Sequence, residues 1–179
     1  MRIFENVSRF TVGTLGEPGS RSFWIQVRNG DSLVSLAAEK SQISLLAERF
    51  EEMLREFRLA HPEIERPGLI EDRGGLDNPV IGEFRIGAIA IFFDEFTEKV
   101  QVDLREVNIE VDEDEVFEID SASLENVQVV RVYLSLAQVK SFAVRADALV
   151  KAGRPPCPFC AFPIDPMGHI CARANGYRR

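Results

Sequence analysis

The chain has 179 residues, 45% of them hydrophobic and 28% charged, with a formal net charge of −8. That composition supplies one ordinary core, or one core and a small appendage, and excludes a disordered polyelectrolyte. No apolar run approaches the roughly 20 residues of a membrane helix, and the opening Met-Arg-Ile-Phe-Glu has no signal-like apolar stretch, so a cytoplasmic location is expected.

In chain order, Arg9 to Leu15 reads as a strand that ends in the turn-rich stretch Gly16 to Ser20. Ser22 to Arg28 follows, with Phe23, Ile25 and Val27 alternating as a half-buried strand requires. Asn29-Gly30 joins it to Ser32–Ala37, and an Asn-Gly pair between two such runs is a strong hairpin signal because both residues tolerate positive φ. The period then changes. Ile43, Leu46, Phe50, Met53, Leu54 and Phe57 recur at three- and four-residue steps, which predicts an amphipathic helix from about Ser41 to Ala60. His61-Pro62 ends it, since the residue before proline avoids the helical region. A long polar connection runs from there to Pro79.

A second β block is predicted from about Val80 to Leu134, with strands over Gly82–Phe93, Lys99–Leu104 and Val127–Leu134 and a turn over Asp94–Glu98. The acidic run Glu110 to Glu115 within it reads as a loop or a charged edge of the kind that discourages sheet aggregation. Ser135 with Gln138 forms a capping-box pattern for a second helix, whose buried stripe is Val139, Phe142, Ala146 and Leu149. Gly153 and Pro155-Pro156 stop it. The expected fold is therefore α+β: mostly antiparallel sheet, two amphipathic helices in a possible β-β-β-α repeat, and a C-terminal zinc knuckle. The expected division is a body over 1–153 and a metal-binding segment over 154–179.

All three cysteines of the chain fall in that last segment, in Cys157-Pro-Phe-Cys160 and His169-Ile-Cys171. A disulfide framework needs an even and scattered set, whereas clustered thiols beside a histidine suit a metal. Cys157, Cys160, His169 and Cys171 are expected to hold one structural Zn2+, with a filled coordination sphere and no open position of the kind catalytic zinc keeps. Two alternatives are a glutaredoxin-like redox dithiol and thiols without a ligand. The redox motif needs a strand before it and a helix after it, and neither is predicted here. The segment 151–179 also carries Lys151, Arg154, Arg173, Arg178 and Arg179 against the single acid Asp165, so it is +4 and the first 150 residues are −12.

The body offers little for catalysis. His61 is its one histidine, it has no cysteine, and Gly74-Gly75 lacks the Lys-Ser/Thr of a phosphate loop. Glu83, Asp94 and the run Asp112–Glu115 are candidate carboxylates for a cation or a reaction, but surface acidity explains them equally well. Trp24, Phe23, Phe92 and Phe93 form either a ligand platform or ordinary sheet packing, and aromatic enrichment in strands favours packing.

Several stretches together resemble a known family. They are Arg9 to Gly16, Glu39-Lys40, Leu45 to Arg49, Glu83 to Gly87, Gly153 to Cys160, Pro163 to Cys171, and Arg173 to Arg179. The chain resembles the bacterial family of domain of unknown function 3090, with Ala161 and Ala172 standing where the pattern has Gly and Pro. The resemblance implies no activity. It implies a genomic neighbourhood shared with a histidine-phosphatase-like protein and a phosphatidylinositol-kinase-like protein, and hence candidate partners. The leading expectation is a non-enzymatic binding or adaptor protein whose zinc-ordered basic tail, with Arg154, Arg173, Tyr177, Arg178 and Arg179, contacts a partner. The alternatives are nucleic-acid binding through the same residues, opposed by the acidic body, and an enzyme with a carboxylate site under the 61–79 connection.

Overall fold

A computed structural model of the chain describes residues 1–17, 19–107, 127–152, 157–160, 162, 164, 168, 171 and 173. The elements are β1 (Arg2–Phe4), β2 (Arg9–Leu15), β3 (Ser22–Asn29), β4 (Ser32–Ala38), α1 (Lys40–Ala60), β5 (Gly82–Asp94), β6 (Lys99–Glu106), β7 (Val129–Ser135) and α2 (Leu136–Lys151). The seven strands form one sheet in the order β1-β7-β6-β5-β4-β3-β2. The β2–β3–β4 and β5–β6–β7 meanders are antiparallel, while β4–β5 and β1–β7 are parallel. The α+β expectation holds in its coarse form. The two units β2–β3–β4–α1 and β5–β6–β7–α2 lie side by side in the sheet with the same internal order. The short strand β1 has no counterpart in the sequence reading: three residues are too few for alternation to show.

Alternation decides which face of the sheet is dry. Val12, Ile25, Val27, Val34, Leu36, Val100, Val102, Leu104, Val132 and Leu134 are all buried on one face, and the helices lie over them. From α1 come Ile43, Leu46, Phe50, Met53 and Phe57; from α2 come Val139, Phe142, Ala143 and Ala146. Phe142 is the keystone of this layer. It stacks on Phe10 at 4.8 Å and meets Phe50 edge-on at 5.6 Å, arrangements that aromatic quadrupoles favour. Helix α2 touches β2, β6 and β7, strands from opposite ends of the sheet, so the sheet curls around it in the sense that strand twist provides.

Caps set the helix limits, at Ser135 and His61 as expected and at Glu39 without a sequence expectation. The Ser135 hydroxyl accepts from the Gln138 N–H at 3.3 Å, and the Gln138 carbonyl oxygen accepts from the Ser135 N–H at 2.9 Å. Gln42 does the same for α1, accepting from the Glu39 N–H at 2.8 Å, and its amide also donates to the Ile86 carbonyl. At the other end of α1, His61 is the C-cap residue, its N–H bonded to the Phe57 carbonyl. The expected helix stop at Gly153 and Pro155-Pro156 lies outside the described residues, as does the acidic run Glu110 to Glu115.

The long connection is a strap rather than a loose loop. It leaves α1, crosses α2 (Lys140 donates to the Pro67 carbonyl, and the Ile70 N–H to Ser141), rounds the β2 edge, and ends on the far face of β2–β4. There Gln26 reads the backbone of Asp77 in both senses, at 2.8 and 2.9 Å. Leu76 fills the space above Gly13, where a Cβ would stand 2.5 Å from the leucine Cγ. The region proposed on sequence grounds for a carboxylate site is thus packed with the protein's own side chains.

Candidate metal centre

Helix α2 ends at Lys151 with Ala152 as its C-cap, and the Arg21 guanidinium donates to the Ala152 carbonyl. The chain then leads to Cys157. Residues 158–160 form a turn, not the first turn of a helix, so the thiols lack the helix terminus that activates a redox dithiol. The turn is closed by two bonds: the Cys157 N–H donates to the Phe162 carbonyl at 2.8 Å, and the Phe159 N–H donates to the Cys157 sulfur at 3.5 Å. Gly168, at φ +84°, supplies a left-handed corner shortly before Cys171.

These turns bring the three sulfurs together, all within 4.8 Å of one another. Cys157 and Cys171 are buried and Cys160 is half-buried. The Cys157 and Cys171 sulfurs are 3.8 Å apart, far beyond the ~2.05 Å of a disulfide. It is the separation of two thiolates on a tetrahedral zinc, since Zn–S bonds of ~2.3 Å at the tetrahedral angle put the sulfurs about 3.8 Å apart. Three close cysteines of this kind can hold a metal ion.

The thiols are also electrically unequal. Burial pushes the Cys157 thiol up, but N–H groups of Phe159 and Cys160 and the two neighbouring thiols outweigh it, so its pKa lies below the ordinary thiol value. For Cys160 the Phe162 N–H pulls down, while burial and the competition of Cys171 and Cys157 prevail and raise it. The Cys157 sulfur thus becomes a thiolate ahead of Cys160, and a bound cation would favour the thiolate form of the others. Arg173 lies beside this loop and donates to the Phe159 carbonyl at 3.3 Å. Its positive charge offsets part of the thiolate charge.

The structure therefore joins Cys157, Cys160 and Cys171 and places Arg173 next to them. His169, Arg154, Tyr177, Arg178 and Arg179 lie outside the described residues. Elsewhere the sequence candidates have structural occupations. The His61 ring packs on Phe57 at 4.7 Å, with Nδ1 3.5 Å from a Glu63 oxygen. Glu83 pairs with Arg2. Asp94 closes its own turn, accepting from the Phe96 N–H and the Thr97 hydroxyl. The stretch Asp112 to Glu115 is outside the described residues. The four aromatics do not share a surface: Phe23 is buried on the helical face, Phe93 meets Phe57 edge-on there, Trp24 lies on the opposite face over Gly82, and Phe92 is exposed.

Two ion-pair networks were not legible in the sequence. Arg9 makes a bidentate pair with Asp72 at 2.8 and 2.9 Å, and Arg145 donates to the carbonyls of Val12, Asp72 and Gly74, so one carboxylate and two guanidiniums bind strap, edge strand and helix together. On β6 and β7, Arg131 grips the buried Asp103 carboxylate at 2.6 and 2.7 Å. The only early signal was parity: Asp103 and Arg131 both occupy the non-core face of their strands and stand opposite each other in the register.

Comparison with known proteins adds one finding. The model of a family described as "Protein of unknown function (DUF3090)" matches residues 2–171, a span that includes all three cysteines and His169. No curated protein and no solved structure matches the chain.

Proposed function

Because the chain belongs to the DUF3090 family, whose description names no activity, we propose a function from its own residues: a non-enzymatic binding module with a zinc-stapled C-terminal segment that engages a partner protein. The observation that carries this reading is the convergence of three sulfurs within 4.8 Å on turns rather than on a redox helix. Soft thiolates with one imidazole select zinc, so His169 completes the set with Cys157, Cys160 and Cys171. Four protein ligands leave no position for a reacting water, and the ion serves to order the chain.

In this reading residues 1–153 are the scaffold and 154–179 the working part. The scaffold's face under the strap is filled, which favours binding over a reaction there. Residues 151–179 carry +4 against −12 on residues 1–150, so Arg154, Arg173, Tyr177, Arg178 and Arg179 suit an acidic or aromatic-accepting partner. The genomic neighbours implied by the family resemblance, a histidine-phosphatase-like and a phosphatidylinositol-kinase-like protein, are the first partners to try.

The test joins metal analysis to partner capture. Purified full-length protein carries close to one zinc per chain, and Cys160→Ser lowers that to a small fraction. Capture from native cells with and without residues 172–179 yields different partner sets. One zinc per chain with identical partner sets would leave the metal site standing and remove the tail as an interface.

A further inference from the structure

The turn that holds the thiols also carries two exposed aromatic rings. Phe159 is 62% exposed and Phe162 69%, while Cys157 and Cys171 of the same segment are buried and Ile164 is half-buried. Isolated exposed apolar side chains are ordinary on protein surfaces. These two sit three residues apart on a backbone already fixed by the Cys157-to-Phe162 and Phe159-to-Cys157 bonds. Aromatic side chains on such a pre-ordered turn lose little freedom on binding, which is how interface anchors gain affinity.

The body carries a surface of the opposite character. Between the second half of α1 and the outer end of β5 the helix no longer covers the sheet, and a cleft of about 250 Å³ opens there. Met53, Phe57, Ile91 and Phe93 form its floor. Its rim holds Glu56 and Glu95, together with Arg49 and His61. Arg49 is itself engaged by Glu52 at 2.5 Å and lies 3.9 Å from Glu56, so the rim and its surroundings are net acidic. An apolar cavity of ~150 Å³ accepts a benzene ring, so the volume suffices for a phenylalanine side chain. Phe57 and Phe93 already meet edge-on, which leaves their faces and edges for a further ring.

We propose that two copies of the chain pair, with the Phe159–Phe162 turn of each docked on the cleft between α1 and β5 of the other, one ring seated in it and the second covering its mouth. This rests on the reading of the C-terminal segment as a partner-binding element and names its partner as a second copy. Within one chain the rings are exposed and the cleft is open, so the complement comes from another molecule. Local charge suits that match: Arg173 donates to the Phe159 carbonyl beside the rings, and Glu56 and Glu95 stand at the cleft. A closed two-fold pair uses both contacts at once and leaves neither ring nor cleft exposed.

The experiment is the solution mass of the full-length, zinc-loaded protein by light scattering and sedimentation across concentration and salt. The wild-type chain is expected at twice its 20.1 kDa mass at low salt, moving toward the monomer as salt rises. Phe159→Ser with Phe162→Ser, and separately Glu56→Lys with Glu95→Lys, each give monomers; all four positions are exposed, so the fold and the zinc content stay intact. Mixing the two variants restores a dimer, because one supplies the cleft and the other the rings. A wild-type monomer at every concentration and salt would overturn the pairing, as would a dimer indifferent to both double variants. If the monomer still captures a cellular partner through Phe159 and Phe162, the partner-binding reading survives and only self-pairing fails. If neither behaviour depends on those rings, both fail.

Discussion

At the scale of the residue, chemistry separates the thiols from the carboxylates. Cys160 holds its proton harder than Cys157, and a site lacking it loses a ligand while the Cys157–Cys171 contact stays. Cys160→Ser is expected to release most of the metal, and Phe159→Ser to retain it; plasma emission analysis after gel filtration separates the two outcomes. The carboxylate case concerns stability. Asp103 is 1% exposed, and its bond with Arg131, helped by Gln101 and partly opposed by burial, holds its pKa below the ordinary value. Asp72 is lowered as well: burial raises it, but hydrogen bonds and charge from Arg9 and the charge of Arg145 outweigh that. A carboxylate depressed in the folded state stabilises fully above the unfolded value of ~3.9 and loses that contribution as pH falls through the folded value. Denaturation midpoints should therefore drop below about pH 4, and Asp103→Asn should flatten that drop. Arg131→Met leaves a buried charge alone and is expected to cost about 3 kcal/mol by urea titration at neutral pH. An equal acid slope in wild type and Asp103→Asn would place the acid sensitivity elsewhere.

At the scale of the element, the helices and the longer strands were legible because their signals are local. Apolar spacing gave α1, Ser135 and Gln138 gave the start of α2, and Asn29-Gly30 signalled the β3–β4 hairpin, although Asn29 pairs with Ser32 and the turn residues are Gly30, at φ +56°, and Asp31. The strap was not legible, because what orders it lies far away in sequence: Arg9 and Gln26 are 63 and 51 residues from the strap residues Asp72 and Asp77 that they hold. Polar residues destined for such partners look the same as solvated ones. The bulge in β5 was hidden for a related reason. Gly87 stands where a Cβ would come within 2.7 Å of the Val107 backbone, and that neighbour is supplied by the end of another strand. Gly13 provides the test of the strap. Gly13→Ala drives a methyl into Leu76 and is expected to cost about 1–3 kcal/mol, the range for overpacking. Pairing it with Leu76→Ala should recover part of the loss, since the clash then disappears. An unchanged melting temperature for Gly13→Ala would mean that the strap lifts freely from the sheet.

At the scale of the molecule, the chain divides its labour between two sources of order. The body is held by a continuous apolar layer from β2 to β7, roofed by two helices and closed by the Arg9–Asp72–Arg145 clamp. The buried cysteines Cys157 and Cys171 are not members of that layer. The C-terminal segment is too short to build a core of its own, and its order is proposed to come from the metal, as in other small metal-dependent units. The cysteine arithmetic that exposed the site in the sequence works for that reason: ligands are rare residue types at short spacing, whereas a surface that recognises a partner has no such grammar. Removing the metal should consequently uncouple the two parts. A strong chelator is expected to shift the thermal midpoint of the body by less than about 2–4 °C, the change that ~1 kcal/mol makes in a domain of this size. The same treatment should open the chain beyond Ala152 to protease and leave a resistant fragment ending near there, because cleavage follows local unfolding. Mass spectrometry of the digest reads the cut positions with and without chelator. A body that melts cooperatively with the tail would mean that the segment packs as part of one domain, and a tail that stays resistant without metal would remove zinc as its source of order.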